Sequence, residues 1–202
     1  MKKWFLFFTL FYCFIFSSNV FATEKIRIAT TTSTIADLTK QVAGDLAEIH
    51  SIASPKRDIH FYHPTPKDVL KVKKADVLIH GGLDLEAWRN PLLEAAGNPK
   101  FFGDKSSAID VSKGISLLEV PVSLSRAEGD IHLYGNPHYW LDPENAKIMV
   151  ANIAEGLSRL FPENRDTFKK NAADWNRKID EKMKQWTAKM LSYQGTAVVT
   201  YH

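Results

Sequence analysis

The chain has 202 residues, 26 Lys and Arg against 23 Asp and Glu for a formal net charge of +3, and one cysteine. That balance implies neither a nucleic-acid surface nor an acidic tail, and one cysteine cannot form a disulfide-stapled scaffold. The length suits one large domain, or one domain and a fragment of a second.

The chain opens on a leader. Met1-Lys2-Lys3 is a positive head, Trp4 to Phe16 an unbroken apolar run, and Val20-Phe21-Ala22 places small residues at the −3 and −1 positions of a signal-peptidase site. The run is too short for a membrane-spanning helix, which needs about 20 residues. A secretory signal over residues 1–22, cleaved after Ala22, is therefore predicted. Cys13 leaves with it, because Tyr12 stands where a lipoprotein signal wants a small residue. Residues 23–202 then carry no cysteine, and losing Lys2 and Lys3 leaves 24 basic against 23 acidic residues. A periplasmic protein with no membrane insertion after cleavage is expected.

Beyond Ala22, short β-rich runs alternate with helical stretches. Ile26 to Ala29 reads as a strand, Ser33 to Ala43 as a helix closed by Gly44, and Ala47 to Ile52 as a second strand. Thr65-Pro66 is a helix start, with an N-cap and a proline at the first position, and that helix runs to about Lys74. Asp76 to Ile79 is a third strand ended by Gly81-Gly82, Leu85 to Ala96 a helix, and Phe101 to Asp110 holds a short strand. Residues 111–137 are the least regular. Asp142-Pro143 opens a helix to about Leu160, and Pro162 starts a long one. Its apolar positions Phe168, Ala172, Trp175, Ile179, Met183, Trp186 and Met190 are spaced only by threes and fours. Thr196 to Tyr201 reads as a new strand.

This alternation predicts an α/β fold with a parallel sheet flanked by helices. The expected division is an N-terminal lobe over 23–161, a connector helix over 162–194, and the first strand of a truncated second lobe over 195–202. One isolated strand cannot bury its faces, so the rest of that lobe is expected beyond residue 202.

The candidate chemistry lies in the histidines. His60 sits in Asp58-Ile59-His60-Phe61-Tyr62-His63-Pro64-Thr65-Pro66, and His138 in Asn136-Pro137-His138-Tyr139-Trp140-Leu141-Asp142-Pro143. Both are loops running into a capped helix. His202 ends the apolar run that begins at Ala197. Each is placed where strands or loops meet the crevice side of an α/β sheet, where such folds bind ligands. Imidazole is a common zinc ligand, and three of them leave one or two coordination positions open.

These two motifs, with Gly82-Leu83-Asp84-Leu85-Glu86-Ala87-Trp88 and the late Tyr201-His202, resemble the zinc- and manganese-binding receptors of bacterial ABC importers. The resemblance runs from about Ile26 to His202. It implies that His60, His138 and His202 are metal ligands, that an acidic fourth ligand lies beyond residue 202, and that the helix from Pro162 connects two lobes. It also implies a Zn2+ cargo, with Mn2+ as the alternative, and a membrane permease as partner. A monomer without catalysis is expected.

The chain departs from that pattern in three ways. Ile59 replaces a proline before the first ligand. His63 is an extra imidazole, read as a rim residue. A long loop rich in His and acidic residues is absent, Glu119 to Tyr134 offering Glu119, Glu128, Asp130 and His132, so that His132 is the candidate for a secondary site. His80 reads as structural or supporting and His50 as exposed. A zinc hydrolase using the same histidines is the competing class, with Glu86 and Asp142 as conceivable bases. The chain contains neither His-Glu-x-x-His nor Gly-x-Ser-x-Gly. An adhesin reading finds no repeat or adhesive module. Among metals, imidazoles without thiolate favour zinc, and His202 in place of a carboxylate argues against manganese.

Overall fold

A computed structural model describes residues 24–121, 132 and 134–199. The predicted leader and His202 lie outside these residues. Four strands, β1 (Ile26–Thr30), β2 (Ala47–Ser51), β3 (Val77–His80) and β4 (Ala108–Asp110), form one sheet in the order β2-β1-β3-β4. All three pairings are parallel. A parallel sheet needs both faces covered, and the strands alternate to meet that need. Ile26, Ile28, Val77, Ile79 and Ile109 face one apolar cluster, while Ala29 and Leu78 face another.

The first cluster is closed by α1 (Ser33–Ala43), α4 (Pro143–Leu160) and the start of α5 (Arg165–Met190). The second is closed by α2 (Pro66–Lys74) and α3 (Arg89–Ala96). Close approach of α4 to the sheet depends on Gly156, where a Cβ would lie 2.5 Å from Ile109 Cδ1. Among the described residues no helix is long and apolar enough to cross a membrane.

Two elements differ from expectation. The helix predicted from Leu85 begins only at Arg89. Leu83 and Asp84 have φ of 54° and 57°, in the left-handed region, and residues 83–88 form turns that turn Glu86 inward. The predicted strand Thr196–Tyr201 is not formed over residues 196–199. A strand requires a neighbour for its backbone groups, and among the described residues none pairs with this stretch.

The long helix is formed as a 3-10 turn at Pro162–Asn164 followed by the 26 residues of α5. At 1.5 Å per residue α5 is about 39 Å long. Its apolar stripe becomes progressively exposed. Phe168 and Ala172 are buried, Trp175, Ile179 and Met183 half-buried, and Trp186 and Met190 are 45% and 61% exposed.

Candidate metal centre

The His60 loop is tied down on both sides. Ahead of it, the Trp88 indole N–H donates to the Ile59 carbonyl at 2.8 Å. Behind it, Tyr62 is buried edge-to-face against Trp88, ring centroids 5.1 Å apart, and its hydroxyl donates to Asp68 Oδ2 at 2.8 Å. The same oxygen accepts from the Thr65 N–H at 2.9 Å and the Thr65 hydroxyl at 2.7 Å. Asp68 therefore both caps α2 and anchors the His60 loop. Burial opposes ionisation of Asp68, yet the bonds from Thr65 and Tyr62 outweigh it, and the carboxyl lies below its ordinary range. Burial and the adjacent Asp68 push the Tyr62 hydroxyl up to about 12.

One device presents both histidines. The His60 N–H donates to Asp58 Oδ1 at 2.9 Å, and the His138 N–H donates to Asn136 Oδ1 at 2.9 Å. These are Asx turns, in which a short polar side chain captures a backbone N–H two residues on. They explain why Asp-x-His and Asn-x-His recur in the two loops. Past His138, residues 139–141 form a 3-10 turn, and Asp142 caps α4 by accepting from the Glu144 N–H at 2.8 Å.

Glu86 ties the second loop to the sheet. It is buried, and its Oε1 accepts from the Thr31 hydroxyl at 2.5 Å and the Gly81 N–H at 2.7 Å. The Gly81 carbonyl in turn accepts from the Tyr139 hydroxyl, next to His138. Burial raises the Glu86 carboxyl above its ordinary value, against the lowering effect of those two donors. Burial, then the Glu86 and Asp110 carboxylates, raise the Tyr139 hydroxyl strongly. Glu86 and Asp142, the residues conceivable as hydrolytic bases, are thus occupied in holding backbone.

The two loops bring imidazoles together. Nε2 of His60 and Nε2 of His138 are 3.2 Å apart. His132 joins them, its ring centroid 4.8 Å from that of His60 and 6.1 Å from that of His138. One ring nitrogen from each of the three lies within 4.8 Å of the others, and all three residues are half-buried. His132, expected in a separate secondary site, belongs to this cluster. No periodicity or motif marks it, because it sits in the irregular stretch before Asn136.

The other described histidines lie elsewhere. His63 is exposed, His50 is exposed beside Glu48, and His80 is buried at the end of β3 with Arg89 Nη1 against its ring. His80 is held down to about 4, first by burial and then by Arg89.

The chain is similar to known metal-binding proteins. Residues 28–202 match the family described as zinc-uptake complex component A, periplasmic (ZnuA). The chain is 33% identical over 162 residues to the manganese ABC transporter substrate-binding lipoprotein PsaA of Streptococcus anginosus, covering 78% of this chain and 49% of that protein. It is 34% identical over 156 residues to the iron-binding protein YfeA of Yersinia pestis, covering 77% and 46%. Zn(II)-bound AdcA from Streptococcus pneumoniae superposes with a TM-score of 0.63 at 30% identity, over 78% of this chain and 31% of AdcA. A Mn-bound periplasmic metal-binding protein from Candidatus Liberibacter asiaticus superposes with a TM-score of 0.60 at 28% identity, over 75% and 52%. The chain spans about half the length of the curated relatives it matches. The family match covers nearly the whole chain beyond the predicted leader, and the chain belongs to the ZnuA family of periplasmic metal-binding receptors.

Proposed function

We propose that this chain forms the metal-capturing lobe of an extracytoplasmic receptor that takes up zinc and delivers it to the membrane permease of an ABC importer, without catalysis. What supports this reading above all is the pair of Nε2 atoms 3.2 Å apart on two hydrogen-bonded loops. Nitrogens bound to one tetrahedral zinc at about 2.0–2.1 Å lie about 3.4 Å from each other. His60 and His138 are the proposed ligands on this lobe, and His202 is proposed as a third.

Relatives named for manganese and for iron keep a manganese or iron receptor as the alternative. Imidazole donors without thiolate suit zinc better than manganese, whose preference is for carboxylate and water oxygens. The hydrolase reading is weaker, since Glu86 and Asp142 are bound to backbone N–H groups.

The test is calorimetric titration of the signal-less, full-length gene product with zinc and, separately, manganese. Tight binding of one zinc is expected, with His60→Ala or His138→Ala lowering the affinity by orders of magnitude. Unchanged zinc affinity in both variants would overturn the proposal. Manganese binding tighter than zinc would replace it with the alternative.

A further inference from the structure

We infer that His132 is a direct ligand of this centre, so that the described lobe by itself offers three imidazoles to one metal ion. This rests on the metal-receptor reading above and assigns a ligand that the sequence motifs do not mark.

The geometry comes from the turn that carries the residue. The His132 carbonyl accepts from the Gly135 N–H at 3.2 Å, closing a tight turn. Gly135 has φ of 106°, and a Cβ there would lie 2.8 Å from the Leu118 carbonyl oxygen. Only glycine lets the turn sit so close to that backbone. Next along, the Asn136 N–H donates to the Leu118 carbonyl at 2.8 Å, and its Nδ2 donates to Glu119 Oε2 at 2.8 Å. Asn136 Oδ1 meanwhile accepts from the His138 N–H. One turn, bound to residues 118 and 119, thus carries His132 and His138 together and faces both rings toward His60.

The donor set has a defined chemistry. Each of the three histidines has a ring nitrogen within 4.8 Å of those of the other two. Closing that separation to the roughly 3.4 Å of nitrogens on one zinc takes about an ångström of ring movement. Three neutral imidazoles leave one or two positions for further donors, and they favour zinc over manganese because every donor is nitrogen. Metal capture on this lobe then does not wait for donors from elsewhere, and His132 becomes a selectivity determinant as well as a ligand.

The experiment uses the signal-less, full-length gene product with Zn2+ alone as probe. Zinc-edge X-ray absorption counts the imidazoles, and competition with a chromophoric chelator gives affinity. His132→Ala and the size-conserving His132→Gln are each expected to lower the imidazole count by one. Both should weaken zinc binding at least tenfold and change manganese binding much less. His63→Ala, an exposed neighbour in the first loop, is expected to alter neither quantity. Ring 15N resonances of the unsubstituted protein provide a readout independent of folding in the variants: those of His132 should move on zinc saturation together with those of His60 and His138. Unmoved His132 resonances, or an unchanged imidazole count and affinity in the His132 variants, would overturn the inference. His60→Ala and His138→Ala separate the two levels. Loss of zinc in those variants without an effect at His132 removes only the inference, whereas no effect at any of the three removes the receptor reading itself.

Discussion

Asp68→Ala probes the link between the fold and the candidate metal centre. The carboxylate is 4% exposed, and one of its oxygens accepts from the Thr65 N–H, the Thr65 hydroxyl and the Tyr62 hydroxyl. Loss of an N-cap arrangement costs about 1 kcal/mol, and each buried hydrogen bond to a charged acceptor contributes about 1.5–3 kcal/mol. The Tyr62 hydroxyl has a fallback acceptor in the Ile52 carbonyl, 3.1 Å away. The three losses are therefore not additive, and a total near 3 kcal/mol is expected. At about 2–4 °C per kcal/mol for a chain of this size, the melting temperature should fall by roughly 6–12 °C.

The same substitution releases Tyr62 from the α2 cap, and the loop on which His60 sits must then be reordered when metal binds. Reordering even one residue costs about 1–2 kcal/mol, or about a tenfold loss of zinc affinity. Asp68 is depressed in the folded state, so its contribution is present above the unfolded carboxylate value of about 3.9 and is lost as pH falls through the folded value. The stability gap between wild type and Asp68→Ala should therefore narrow below about pH 4. Urea unfolding of the metal-free protein from pH 7 to 3, with zinc competition at pH 7, measures both effects. Equal unfolding midpoints would refute the capping argument. A lowered midpoint with unchanged zinc affinity would refute the claim that the cap positions His60.

Two further outcomes are expected. In Gly81→Ala the new Cβ would lie 2.6 Å from Leu85 Cδ2 and 3.0 Å from Glu86 Oε1, and Leu85 is fully buried, so overpacking should cost about 1–3 kcal/mol in urea unfolding. His80 has a folded value near 4, held down by burial and then Arg89, against about 6.5 when unfolded, so the unfolded state takes up the proton first. Stability should decline as pH drops from about 6.5 to 4, and His80→Gln should flatten that slope; an equal slope in urea titrations would count against it.

The elements that were legible in the sequence are those with a local cause. Thr65-Pro66 and Asp142-Pro143 mark helix starts because capping and the fixed φ of proline act within four residues, and α2 and α4 begin at those prolines. The α5 stripe follows from its three-and-four spacing. His60 and His138 are legible because each lies in a loop running into a capped helix, within a motif that resembles the metal-receptor family; the Asx turns that present them are seen only in the structure. What was not legible depends on contacts made at a distance. Leu85 to Trp88 has helix-forming composition, yet Glu86 is drawn to Gly81 and to Thr31, 55 residues earlier, and α3 starts later. His132 lies in a stretch without period, and its place near His60 arises from the Leu118–Asn136 and Gly135–His132 backbone bonds.

The strand order also explains why the centre forms at this edge of the sheet. Chain order runs outward from β1 to β2 on one side and to β3 and β4 on the other, so the direction of progress reverses between β1 and β3. Loops leaving the carboxyl ends of strands on either side of such a switch point diverge and leave a crevice, the usual ligand position in open α/β sheets. Here Glu86 bridges the crevice, joining Thr31 beyond β1 to Gly81 beyond β3. A buried carboxylate is costly unless hydrogen-bonded, and its two donors come one from each side of the switch point. Tyr139 then docks on the Gly81 carbonyl, which sets the His138 loop against the same crevice. His60 arrives from the loop after β2, its backbone held by Trp88 from the segment after β3. The segments after β1 and β3 thus brace both histidine loops, so their relative placement depends on buried hydrogen bonds within the fold. Bracing of this kind reduces the ordering cost of whatever the two loops bind.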